Sequence, residues 1–139
     1  MGFAGMVDRD AIEAEGSWEA QGQPKTTHGL LERTAKAFPE RDALSFQLLS
    51  DPKARAETLN WRELHEKSVQ TANLLRELGV GETDVVAFLL PNCSEVILSY
   101  LGGQIAGVVN PINPLLDAGQ IADAFTAIAL MYHLRGVRT

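Results

Sequence analysis

Two apolar runs, one helix length apart, limit the fold more than any other feature of this chain. Val85–Leu90 (VVAFLL) offers no polar face, and Val108-Val109 opens a second such run. A strand that is apolar on both sides needs cover on both sides, as a central parallel strand between helices has. Strand, helix and strand in succession give a parallel pair joined by a right-handed crossover. From Thr58 to Pro114 the chain reads helix, strand, helix, strand with almost no filler. The fold class is therefore α/β.

Local signals place the remaining elements. His28 to Ala37 reads as a helix, with Leu30, Leu31, Thr34 and Ala35 on one face and Pro39 limiting its continuation. Ala43–Leu49 and Glu57–Asn60 read as short strands, with Asp51-Pro52 marking a turn between them. In the next helix Asn60 is the cap and Glu63, three residues on, completes a capping box. Trp61, Leu64, Ala72, Leu75 and Leu78 fall near one face of it, and Arg62/Glu66 and Glu63/Lys67 are spaced for i,i+4 pairing on the wet side. Gly79 is placed to end this helix in the left-handed conformation. Ser94 is the expected cap of a helix that is apolar nearly all round, and Gly102, Gly103 and Gly107 permit close backbone approach to a neighbour. Asp117 with Gln120 marks a further helix start, continued by Ile121, Phe125, Ile128 and Tyr132. The first 26 residues are acidic, rich in Gly, Gln and Ala, and without sustained period. They are expected to form a mobile lead-in, with Trp18 docking on the body.

Charge and composition exclude several partners. A net charge of −6 disfavours nucleic acid and anionic membrane surfaces. No Lys or Arg stands between Arg76 and Arg135, so a phosphate site in the α/β core would have to rely on backbone N–H groups. The single cysteine, Cys93, excludes an internal disulfide and suits a reducing compartment. The N-terminus lacks a positive region followed by a long apolar stretch, so no secretory signal is read there. Met6 stands where a myristoylation signal wants Ser or Thr. The longest apolar run is too short to span a bilayer. The expected location is the cytoplasm.

The candidate chemistry is sparse. A dinucleotide fingerprint would place Gly-x-Gly-x-x-Gly directly after a strand, but PNCSE follows VVAFLL and contains no glycine. A Walker-type loop is also absent. Cys93 lies just past a strand end, where nucleophiles often sit. His28, His65 and His133 fall on separate helices, however, so a buried structural thiol is the expectation. Asn92-Cys93-Ser94 matches the glycosylation acceptor only formally, since no secretory signal accompanies it. One cysteine and scattered histidines give no metal-ligand spacing. Glu63 and Glu66 read as a solvated helix face.

Four stretches carry a resemblance: LLERTAKAFPERDAL (30–44), WREL (61–64), LLRELGVGETDVVAFLLPNCSE (74–95) and YLGGQIAGVVNPINP (100–114). In that order they resemble the start of the acyl-adenylate-forming (AMP-binding) superfamily: acyl-CoA synthetases, amino-acid adenylation domains and luciferases. The NPINPLL close at 110–116 resembles the fatty-acyl- and aryl-CoA synthetase branches more than the amino-acid activators. The resemblance runs from about residue 28 to about residue 125. It implies an N-terminal fragment of a layered α/β domain, with a short partly parallel sheet flanked by helices.

The resemblance further implies a large enzyme. ATP and a carboxylic acid form an acyl-adenylate, pyrophosphate leaves, and coenzyme A takes the acyl group as a thioester. The chemistry needs phosphates shielded and aligned for in-line attack. In the family this falls to a Ser/Thr/Gly-rich loop ending in lysine, to later acidic and aromatic motifs, and to a mobile C-terminal domain with its own lysine. No position of this sequence matches those motifs, so no catalytic, cofactor-binding or metal-binding residue is assigned. ATP, Mg²⁺ and CoA are implied for full-length relatives only, and a carboxylic acid likewise. The expected organisation is a flexible segment at 1–26, a partial AMP-binding domain at 27–125 and a divergent tail at 126–139. That tail departs from the family's amphipathic helix and strand. A frameshifted reading frame, a truncated paralogue and an unusual helix that still packs all account for it. The leading expectation is an acyl-CoA synthetase fragment inactive by itself. The alternative is a non-catalytic paralogue acting as a protein-interaction module. Open sheet edges predict self-association.

Overall fold

The structure is a computed structural model that describes residues 5–49, 51, 53–124 and 126. Its elements run α1 (Met6–Glu13), α2 (Thr27–Ala37), β1 (Asp42–Phe46), β2 (Glu57–Asn60), α3 (Trp61–Glu77), β3 (Val85–Leu89), α4 (Ser94–Ala106) and β4 (Val108–Ile112). Residues 118–124 are again helical. Among the described residues two separate two-stranded sheets form, β1 with β2 antiparallel and β3 with β4 parallel. The chain is an α/β structure whose parallel pair is joined through α4, as the sequence predicts.

Helices α2 and α3 start where a side chain takes an orphan N–H, whereas α1 and α4 begin without a side-chain cap. Thr26 Oγ1 accepts from Gly29 N at 3.0 Å, so α2 begins one residue before the predicted His28. At α3 the capping box is complete: Asn60 Oδ1 accepts from Glu63 N at 2.9 Å and Glu63 Oε2 from Asn60 N at 3.0 Å. The end of α3 is equally well defined. Gly79 has φ +93°, its N–H reaches Arg76 O, and the Val80 N–H reaches Leu75 O, the paired bonds of a Schellman ending. Asp117 and Gln120 exchange the reciprocal bonds of a further capping box at 3.1 and 2.9 Å.

The core lies where α2, α3 and β2 meet, with α4 closing one side. Leu31, Leu59 and Leu64 are buried, with Ala43, Leu44, Trp61, Leu98 and Leu101 packed around them. Ala72 and Ser68 are fully enclosed at the α3–α4 contact, and Ser68 Oγ donates to Leu64 O at 2.7 Å. Three glycines bring α4 close to its neighbours: Gly102 to α3, Gly103 to the parallel strands and Gly107 to the turn before β3. A Cβ on Gly102 would stand 2.6 Å from Thr71 Cβ and 2.9 Å from Ser68 O. One on Gly103 would meet Val109 Cγ2 at 2.6 Å, and one on Gly107 the carbonyls of Asp84 and Gly81 at 2.7 Å.

Several expectations are corrected. Residues 6–13, expected to lack periodic structure, form α1, supported by Arg9–Asp10 and Arg9–Glu13 ion pairs, although the helix buries none of its residues. Trp18 does not dock on the body: it is 51% exposed and its indole N–H donates to Pro24 O at 2.7 Å. β1 stops at Phe46 rather than Leu49, because its partner β2 begins at Glu57 and the ladder runs out there. The pairs expected from Arg62 and Glu63 go elsewhere. Arg62 reaches Glu40 at 2.9 Å and Glu63 turns back to its own helix cap. Leu78, expected on the apolar face of α3, is exposed at the helix C-cap. Phe125, Ile128, Tyr132 and nearly all of the 126–139 tail lie outside the described residues.

Candidate functional site

In open α/β sheets ligands sit at the carboxyl ends of the strands, which here means the turn from β3 into α4. Leu89 ends β3, and Cys93 takes the N-cap position of α4 without a side-chain cap bond. Ser94, expected to be that cap, is instead the first helical residue. Its buried hydroxyl donates to Glu57 Oε2 at 2.6 Å, tying α4 to β2. The Cys93 thiol is half-buried rather than enclosed, because it borders the open turn. Beside it, the Glu95 carboxylate is held below the usual glutamate range, first by its own backbone N–H and then by the Cys93 thiol.

These residues do not fit a nucleotide triphosphate. The turn has no glycine, and the helix N-terminus that could receive an anion carries Glu95 in its first turn and Glu57 bonded to Ser94. Two carboxylates there repel phosphate where the helix dipole alone would attract it. Arg76, the last cation before this region, donates to Ile105 O at 2.9 Å at the far end of α4. No phosphate-binding role is derived for this strand end.

Two depressions flank the helical layer. One, of about 320 Å³, is lined by Thr26, Thr27, His28, Arg76, Gln104 and Ile105. Next to it the structure brings together two histidines that the sequence places on separate helices. The rings of His28 on α2 and His65 on α3 stack with centroids 5.6 Å apart and planes 10° apart. His28 Nδ1 and His65 Nε2 are both buried without a protein partner. No local signal links the two positions; only the packing of α2 on α3 does. Glu32, one turn beyond His28, is held below its ordinary range chiefly by its 2.7 Å hydrogen bond and ion pair with Lys36, with smaller help from the two histidine rings. His133 lies outside the described residues. Among the described residues no three His, Cys, Asp or Glu side chains converge as a metal site would require.

The second depression, of about 310 Å³, is almost wholly apolar, with Leu30, Leu31, Thr34, Trp61, Leu64 and Leu101 in its walls. Leu30 and Thr34, predicted on the core face of α2, line this groove from its more exposed side, while Leu31, also in its wall, and Ala35 are buried. Among the described residues no helix is long and apolar enough to cross a membrane.

Comparison with known proteins places this architecture. The AMP-binding enzyme family matches residues 31–134. Bacitracin synthase 1 of Bacillus licheniformis is 35% identical over 99 residues, covering 70% of this chain and 2% of that protein. The marinolic acid–CoA ligase of Pseudoalteromonas sp. (strain SANK 73390) is 32% identical over 96 residues, covering 66% of this chain and 14% of that ligase. Among solved structures, the N-terminal subdomain of Klebsiella oxytoca NpsA superposes with a TM-score of 0.66 at 23% identity, over 75% of this chain and 26% of that one. The last likeness bears on the fold alone. The chain thus spans a small part of the length of each relative. With the ordered strand–helix–strand layer and a family match over most of its length, this chain belongs to the AMP-binding enzyme family.

Proposed function

We propose that this chain builds the opening α/β layer of an enzyme that activates a carboxylic acid as its acyl-adenylate with ATP and Mg²⁺, and passes the acyl group to the thiol of coenzyme A. The observation that carries the reading is the family match over residues 31–134, laid on a β3–α4–β4 unit that presents no phosphate-binding group. The layer acts as scaffold. It sets the strand positions on which a catalytic loop elsewhere in such an enzyme would rest, and by itself it does no chemistry. The NPINPLL segment at 110–116 favours acyl-CoA formation over amino-acid activation. The peptide synthetases among the relatives make amino-acid activation the competing reading.

The experiment is ATP–pyrophosphate exchange. The chain alone is expected to give none with any carboxylic acid. Joined to the part of the Bacillus subtilis long-chain-fatty-acid–CoA ligase that follows the matched stretch, it is expected to restore exchange that depends on a fatty acid. Exchange by the chain alone would refute the scaffold reading. Dependence on an amino acid in the chimaera would move the chain to the peptide-synthetase branch. Absence of exchange in a folded chimaera would favour a non-catalytic paralogue that acts by binding a partner.

A further inference from the structure

We propose that α1 is a strap for the apolar groove: the stripe Val7–Ala11–Ala14 seats against Leu30 and Trp61 and covers the depression between α2, α3 and α4. This goes beyond the adenylation reading, since α1 lies outside the residues that the family matches.

Two unsatisfied surfaces and a tether that joins them carry the inference. The groove is lined by carbon apart from its threonines, and Leu30 remains 38% exposed on its rim. α1 buries nothing, and Val7 is 81% exposed. Val7, Ala11 and Ala14 recur at i, i+4 and i+7, so they share one helix face, while Arg9 and Glu13 pair on another that can stay in water. Apolar surface left on both sides is a standing driving force for contact, at about 25 cal/mol per Å² covered.

The tether makes the occupant α1 rather than an unrelated segment. Gln23 Oε1 accepts from Arg33 Nη2, and Pro24 packs against Gly29, which pins the connecting chain to the flank of α2. With the turn at residues 17–21 opened, the chain from Ala14 to Gln23 can extend about 30 Å, against a helix diameter of about 10–12 Å, which is enough for α1 to reach around α2. Between these points residues 17–21 form a compact turn: Gln21 N–H donates to Ser17 O, and Ser17 Oγ accepts from Ala20 N. Gly16 at φ +105° and Gly22 at φ +65° bracket that turn. Both glycines are free to change conformation where other residues would be strained, so they are the pivots for α1. The structure records the strap lifted, with the Trp18–Pro24 bond holding its turn together.

Cross-linking in the full chain tests the closed state. In a Cys93→Ser background, Val7→Cys is combined with Leu30→Cys at the groove or with Leu74→Cys, an exposed position on the last turns of α3. Mild oxidation is expected to give a disulfide within one chain for the Leu30 pair and to leave the Leu74 pair reduced. Equal cross-linking of both pairs, no cross-linking, or disulfides between chains only would overturn the proposal. A second readout avoids cysteine altogether. Trp18→Phe leaves Trp61 as the one tryptophan, and adding Val7→Asp with Ala11→Asp should shift its emission to the red as the groove opens. Unchanged emission would also overturn it. Val7 is exposed in α1, so its replacement does not threaten the fold.

Discussion

At the scale of single residues, α4 packs close through missing side chains, against α3 at Gly102 and against the parallel strands at Gly103. Gly102 sits over Thr71 and the Ser68 carbonyl, and Gly103 over Val109. Alanine raises helix propensity by about 0.8–1 kcal/mol at either place, whereas forcing atoms into a packed contact costs about 1–3 kcal/mol. The obstacle decides the sign. At Gly102 it includes backbone and a branched Cβ, neither of which can rotate away; at Gly103 it is chiefly one methyl group of a side chain. Gly102→Ala is therefore expected to lower stability by about 1–2 kcal/mol and Gly103→Ala by less, as urea midpoints would report. An equal or smaller loss at Gly102 would mean that the helices can move apart freely. The glycines were legible in the sequence as sites of close approach. The stacked His28 and His65 were not, because thirty-odd residues of intervening chain carry no sign that α2 and α3 will lie side by side.

At the scale of elements, the ends of the helices are fixed more firmly than their faces. α3 has a reciprocal capping box at one end and a glycine-terminated Schellman ending at the other. Asn60→Ala removes the acceptor for Glu63 N–H and releases the Glu63 carboxylate from its return bond. A loss of about 1 kcal/mol is expected, with fraying of the first turn visible as faster amide exchange at residues 61–64. Asn60→Asp should keep most of the stability, since a carboxylate caps equally well. If alanine and aspartate behave alike, the cap is not what holds this end. Caps were readable because they depend on residues three positions apart. The i,i+4 pairs of Arg62 and Glu63 were misjudged for a related reason: exposed ion pairs are weak, and a tertiary carboxylate or a cap outcompetes them.

At the scale of the whole molecule, the chain covers little of itself. Its accessible surface is 10248 Å², against about 7,100 Å² expected for a compact protein of 15.1 kDa. Among the described residues two strand pairs leave edges open, and Leu89 at the end of β3 is exposed. Chains with such edges pair with one another, so the isolated protein is expected to self-associate with rising concentration and to melt over a broad range. Light scattering coupled to size exclusion checks this, and a concentration-independent monomer with a sharp transition would contradict it. The sequence by itself determined the order of elements, the two-sided apolar strands, the capping boxes at Asn60 and Asp117 and the family, because all of these are written in contacts a few residues long. Only the tertiary structure decided that Ser94 bonds Glu57 instead of capping α4, that His28 meets His65, and that an apolar groove opens beside an unseated α1. Those outcomes turn on which helix faces come together, and that choice depends on shape and free volume summed over distant residues rather than on any local pattern.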